Sequence, residues 1–104
     1  MIDHSAAVRK YAPNADDKKI AAIVKHLGIA LRNRDSSLVA ASDPKELATV
    51  RESWLKKKLG LSDDKLLDAA IKHVCERMKA DHDKSRVAVY YLLAEHFDKL
   101  GVLG

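Results

Sequence analysis

Cysteine and histidine give the first test for chemistry in this chain, because a thiol beside an imidazole can form a nucleophile and its base. His73 and Cys75 are two positions apart in a segment whose apolar spacing predicts a helix. Residues two apart on a helix point to nearly opposite sides, so this pair cannot exchange a proton directly. Cys75 shares the apolar face with Ile71 and Met78, where a free cysteine behaves as a small hydrophobe. We therefore predict a structural cysteine.

Metal ligation is the second test. The histidines are His4, His26, His73, His82 and His96. None forms an i, i+4 pair or a Cys/His cluster with zinc-site spacing, so we predict no metal site and no cofactor. The turn 81–83 would supply ligands only if the fold brought His96 near it, and a solvated turn is the favoured interpretation. Since His96 falls in an apolar stripe, we expect it to be partly buried with one hydrogen-bond partner.

Carboxylate pairs and phosphate loops give no catalytic set either. The pairs at 16–17 and 63–64 fall at predicted helix starts, where capping explains them. Glu95 and Asp98 share a polar stripe and lack an apolar pocket that would tune an acid or a base. No glycine-rich phosphate loop is present. We therefore favour a non-enzymatic function and keep an enzyme with a site assembled from distant residues as the third alternative.

Cations at the start of the last predicted helix suggest a candidate anion site. Lys84, Ser85 and Arg86 surround its first turn, where free N–H groups would bind an anion. The helix dipole disfavours cations there, which makes the two positive charges notable. Neutralisation by Asp81 and Asp83 is the simpler explanation, because surface pairs of this kind are common.

A second group of cations defines a candidate basic patch. It comprises Arg32, Arg34, Arg51, Lys56, Lys57 and Lys58. Residues 1–60 hold 12 Lys or Arg against 7 Asp or Glu, whereas residues 61–104 hold 7 against 8. Such a patch would bind nucleic acid through phosphates, without sequence preference and with strong salt dependence. A solvated lysine-rich surface is the simpler interpretation.

Helices are the elements that must position these residues. Apolar spacing and turn residues predict helices over 3–12, 16–33, 43–58, 62–78 and 84–100, with a short one that starts at residue 35 or 36 and runs through 38–40. Asp43-Pro44-Lys45-Glu46 has the pattern of a capping box. No segment alternates strongly enough to predict a strand. With 104 residues, the sequence predicts an all-α fold: one compact domain over 1–104, with four to five main helices packed around the C-terminal one.

The segment 84–100 is expected at the centre of that domain. It contains the longest apolar run, residues 87–94, and a helix that is apolar over most of its circumference is normally buried on most sides. Trp54, Tyr90 and Tyr91 are either part of the core or, if they exceed what it can cover, an exposed patch that marks an interface. Both interpretations stay open, with the core favoured.

Four stretches resemble a family of short bacterial proteins that is catalogued only as a domain of unknown function. They are residues 25–31 (KHLGIAL), 35–39 (DSSLV), 55–61 (LKKKLGL) and 90–95 (YYLLAE). The resemblance covers nearly the whole chain. It implies a stand-alone, all-helical bacterial protein, and it implies no reaction, cofactor or catalytic residue.

These observations favour a small helical module that interacts with an unknown protein partner or with a second copy as a homodimer. The alternative is a weak, sequence-independent nucleic-acid or anion binder that uses the basic half. A single cysteine excludes an internal disulfide and indicates a reducing compartment. The N-terminus lacks a signal-peptide core, and the longest apolar run is far below the ~20 residues of a membrane span. We therefore expect a cytoplasmic protein without membrane contact.

Overall fold

The computed structural model describes residues 4–28, 38–39, 42–80 and 84–103. Its α-helices are α1 (His4–Tyr11), α2 (Asp17–Leu27), α3 (Pro44–Thr49), α4 (Asp64–Arg77) and α5 (Arg86–His96). A π-helical segment (Val50–Lys56) continues α3, and a 3₁₀ turn spans Leu100–Leu103. Two short strands, β1 (Leu38–Val39) and β2 (Lys84–Ser85), complete the described elements. The predicted all-α class is confirmed. In this part of the chain, no helix combines the length and the apolarity needed to cross a membrane.

Helices α2 to α5 each begin at a side chain that accepts a hydrogen bond from a backbone N–H of the first turn. Asp16, Asp43 and Asp63 accept from the N–H two residues further on, and Ser85 accepts from the N–H three residues further on. Such caps satisfy donors that a helix start leaves without an intrahelical partner. The helix starts predicted at residues 16, 43, 62 and 84 therefore agree with the observed caps to within one residue.

Helix α5 lies at the centre because it has no polar face over most of its length. All nine residues of 86–94 are buried. Helices α1, α2 and α4 and the π-helical segment all contact it. A helix that is apolar on most sides must be covered by other elements on most sides. The predicted central position of the C-terminal helix is therefore confirmed.

The π-helical segment places Trp54 against α5. A π turn holds more residues than an α turn, so positions i+4 and i+5 both lie over position i. Val50, Trp54 and Leu55 can therefore share one face, and all three are buried. The Trp54 ring stacks on Tyr90 with ring centroids 4.6 Å apart. Its indole Nε1 donates a hydrogen bond to the Tyr90 backbone oxygen at 3.1 Å.

The two short strands correct the sequence prediction. Leu38 pairs with Ser85 and Val39 with Lys84 in an antiparallel bridge, whereas we expected a short helix near 38–40 and no strand. Two residues are too few for an alternating pattern to be visible in the sequence.

Two helices end earlier than predicted. Helix α2 ends at Leu27 because Gly28 takes a positive φ of 43°, and residues 29–33 of the predicted helix lie outside the described residues. Among the described residues, a Cβ on Gly28 would meet no atom within 4 Å, so the role of this glycine is to end the helix. Helix α5 ends at His96, and Asp98 takes a positive φ of 56°, where we expected helix to Leu100.

Replacement of Trp54 tests the packing around α5. The variant Trp54→Ala should lower the free energy of unfolding by about 3–5 kcal/mol, because it leaves a cavity and removes the hydrogen bond to Tyr90. Leu66→Ala is the matched control, since Leu66 is 60% exposed, and it should change stability by less than about 0.5 kcal/mol. Urea unfolding of both variants measures the difference, and similar losses would contradict the described core.

Candidate functional site

A groove between α3 and α4 is the candidate site, and we call it the α3–α4 groove. Its volume is about 460 Å³. It is lined by Leu47 of α3 and by Asp68, Ile71, Lys72, Cys75, Glu76 and Lys79, which belong to α4 or directly follow it. Positions 68, 72, 75 and 76 follow helical spacing, so they share one face of α4, and Lys79 follows two residues beyond the end of that helix.

The floor of the groove is apolar. Ile71 is buried, and Leu47 and Cys75 are half-buried against the core. Burial raises the pKa of the Cys75 thiol, and the nearby positive charge of Lys84 only partly offsets this. A thiol with a raised pKa remains protonated at neutral pH and is a poor nucleophile. Cys75 therefore contributes an apolar surface to the groove.

The rim of the groove is charged, and its charges differ in their partners. Arg51 donates to both carboxylate oxygens of Asp68, at 2.9 and 3.2 Å, which neutralises that acid. Among the described residues, Lys72, Glu76 and Lys79 form no ion pair. Two lysines and one glutamate therefore remain to interact with a bound partner.

The predicted anion site, Lys84, Ser85 and Arg86, lies in the interior. All three residues are buried. The Ser85 hydroxyl caps α5. The Arg86 guanidinium donates to both oxygens of the Glu46 carboxylate at 3.0 Å. These three side chains therefore do not surround an open pocket. Asp81 and Asp83, the predicted neutralising residues, lie outside the described residues.

The contact with Arg86 also changes the role of Glu46. The sequence predicts that Glu46 closes a capping box on α3, but its carboxylate binds Arg86 across the domain. Arg86 donates further to the Leu38 backbone oxygen at 3.2 Å and to the Tyr90 hydroxyl at 3.3 Å. Burial opposes the charge of Arg86, but the hydrogen bonds with Glu46 and Tyr90 outweigh it and raise its pKa.

The predicted basic patch is divided by ion pairs. Arg32 and Arg34 lie outside the described residues. Arg51 binds Asp68, and Lys56 lies 2.9 Å from a Glu52 oxygen and 2.6 Å from an Asp64 oxygen. Hydrogen bonds with Asp64 and Glu52 raise the pKa of Lys56.

The last two members of the patch differ from these paired cations. Lys57 and Lys58 are exposed and form no ion pair with another described residue. They are therefore the described part of the patch that is open to an external anion.

The predicted interface residues Trp54, Tyr90 and Tyr91 all lie in the core, with exposures of 0, 3 and 3%. The Tyr91 hydroxyl accepts a hydrogen bond from the Asp16 backbone N–H at 3.3 Å. These aromatics do not form a surface patch on this chain. Any partner surface must therefore be sought among other residues.

Two histidines lie closer together than their sequence positions suggest. The ring centroids of His73 and His96 are 5.6 Å apart, and both residues are exposed. The expectation that His96 is partly buried is therefore wrong, because α5 turns this position towards solvent at its end. The turn 81–83, expected to approach His96, lies outside the described residues.

His26 has a different surrounding. Its ring contacts Trp54 with centroids 5.3 Å apart. Partial burial lowers the pKa of His26, and the positive charge of Lys58 lowers it further. The folded protein therefore binds a proton at His26 less readily than the unfolded chain does.

The ion pair between Arg86 and Glu46 gives a stability prediction. Glu46→Gln should destabilise the fold by about 2–3 kcal/mol, because it leaves a buried guanidinium without its carboxylate. The loss should be smaller than for a fully buried ion pair, because the Glu46 side chain is partly exposed to water. The double variant Arg86→Met with Glu46→Leu should recover most of this loss. Glu52→Gln, which removes exposed ion pairs with Arg51 and Lys56, is the control and should change stability much less than Glu46→Gln does. Urea unfolding that gives equal effects for the two single variants would contradict the description.

The lowered pKa of His26 gives a pH prediction. Because the unfolded chain binds this proton more readily, stability should be complete above a pH of about 6.5 and should fall as the pH drops through that value. Lys58→Gln should raise the pKa of His26 only part of the way to its ordinary value, since burial is the larger cause. NMR titration of the imidazole measures this. Lys57→Gln is the control, and an equal shift in it would contradict the assignment.

Comparison with known proteins completes the description. The model of a family described as "Protein of unknown function (DUF2853)" matches residues 3–101. A comparison with curated proteins finds no match to this chain. The match agrees with the predicted resemblance to a family of unknown function over nearly the whole chain.

Proposed function

We propose that this chain, which belongs to the DUF2853 family of proteins of unknown function, is a non-enzymatic protein-interaction module. The binding site in this proposal is the α3–α4 groove, and its occupant is an apolar segment of a partner protein with acidic side chains beside the apolar ones. One observation carries the proposal: an apolar floor lies beside two lysines that form no ion pair with a described residue.

The floor supports binding of apolar side chains. A volume of about 460 Å³ is in the usual range for a ligand-binding cleft. Grooves between helices commonly bind one face of an amphipathic helix, whose apolar residues recur every three or four positions. Leu47, Ile71 and Cys75 offer such a helix an apolar surface along one side of α4.

The rim supports an acidic partner. Lys72 lies on α4 and Lys79 lies two residues beyond its end, and both residues line the same groove. Arg51 neutralises Asp68, which leaves Glu76 as the opposing charge. Complementary charge at the edge of an interface increases the association rate and selects the partner.

Net charge favours a different protein over a second copy of this chain. The formal charge is +4, so two copies repel each other at long range. A homodimer through the groove would also bring the lysines of both copies together. Light scattering that shows a stable dimer would count against this choice of occupant.

We also propose that the protein acts in the bacterial cytoplasm. The family resemblance noted from the sequence supports the bacterial source. Cys75 is a free thiol, as is usual in a reducing compartment.

A second candidate is weak binding of nucleic acid through the basic half. Lys57 and Lys58 support it, since both are exposed and form no ion pair with a described residue. Arg51 and Lys56 count against it, because carboxylates already bind them. Binding of this kind would depend strongly on salt and little on shape.

A peptide titration tests the groove. The probe is a fluorescein-labelled amphipathic helix with leucines on one face and glutamates beside them, measured by fluorescence anisotropy. We expect saturable binding to the wild-type protein. Lys72→Glu with Lys79→Glu should weaken it by about tenfold, as expected when two exposed charges are reversed. No binding to the wild type would overturn the proposal.

Lys18→Glu with Lys25→Glu is the matched control. Both lysines are exposed, are seven positions apart on α2, and carry the same change of charge. This variant should bind the peptide nearly as well as the wild type. The groove proposal fails if the control variant weakens peptide binding as much as the groove variant does. It also fails if single-stranded DNA displaces the peptide equally well from the wild type and from the control variant, because non-specific anion binding would then explain the result.

A further inference from the structure

We propose that His73 of α4 and His96 of α5 bind a divalent transition-metal ion between the two helices. The proposal rests on their juxtaposition: the ring centroids are 5.6 Å apart and the ring planes are tilted by 40°. Both side chains are exposed, so an ion can reach them from solvent. The site is separate from the α3–α4 groove, which His73 does not line.

The distance fits two ligands of one metal ion. Two imidazoles that share a zinc ion, with each nitrogen about 2.0–2.1 Å from the metal, hold their ring centroids roughly 5–6 Å apart. Neutral imidazole suits zinc, copper and nickel, whereas magnesium and calcium prefer oxygen ligands. The ligand class is therefore a first-row ion with affinity for nitrogen.

The helices hold both rings in defined places. His73 lies inside α4 and His96 is the last residue of α5. Phe97 contacts the His96 ring edge-on, with centroids 5.0 Å apart and planes at 88°, which limits the orientations of that ring. Sites built on helices require less movement on binding than sites built on loops.

The local charges do not oppose a cation strongly. Arg77 lies one turn beyond His73 on α4, and its guanidinium is 3.9 Å from the Glu95 carboxylate on α5. This pair spans the same contact between helices and places a carboxylate beside the arginine. Within the described residues, no group of three or more ligand side chains surrounds a common point. Water would therefore fill the remaining positions, as in zinc sites that stay open.

Titration with zinc chloride tests the proposal. We expect the melting temperature of the wild-type protein to rise with zinc and then to saturate, because an ion that binds only the folded state stabilises it. His73→Gln and His96→Gln should each lose this rise at the zinc concentration that saturates the wild type. NMR should show the imidazole signals of His73 and His96 moving together. Circular dichroism confirms that each variant is folded.

His26→Gln is the matched control, since His26 is also an exposed histidine at the end of a helix but has no second imidazole in ring contact among the described residues. It should keep the full zinc response. The proposal is wrong if the wild type does not respond to zinc. It is also wrong if either paired variant responds as the wild type does, since binding would then involve other residues.

Discussion

The whole structure depends on one constraint, which is that α5 leaves almost none of its surface to water. Residues 86–94 are buried in an unbroken run, so the surrounding helices must each turn an apolar face towards it. The same constraint takes the charge of Arg86 into the interior, where it needs the carboxylate of Glu46. It also requires the π-helical segment to bring the Trp54 indole to the α5 backbone. Core packing and buried polar contacts thus have one common cause.

The sequence predicted what depends on neighbouring residues and missed what depends on the fold. The central helix and the helix starts were predictable, because an apolar run and a capping residue act within a few positions. Glu46 was predicted to close a capping box, which is a local contact. In the structure its carboxylate binds the buried Arg86 instead. The groove was not predicted because Leu47 and Lys72 belong to different elements that only the fold brings together. The contact between His73 and His96 was not predicted either, because these residues are 23 positions apart and lie on different helices.

Helix α4 separates the two proposed sites. One face carries Asp68, Lys72 and Cys75 and forms a side of the α3–α4 groove. Another carries His73 and Arg77, which meet the end of α5. The core face between them is apolar and fixed, with Leu67, Ala70 and Val74 buried. A substitution on one of these two faces therefore does not directly contact residues of the other proposed site.

The bridge between β1 and β2 affects the order in which the chain folds. Leu38 and Arg86 are 48 positions apart and in hydrogen-bond contact, so α3, the π-helical segment and α4 lie in a loop that this contact closes. Closing a loop of this length costs roughly 3 kcal/mol in its length-dependent part, before the new contacts offset it. Helical hairpins with local contacts form faster than such distant pairings. We infer that the bridge forms after the helices that lie between its two strands.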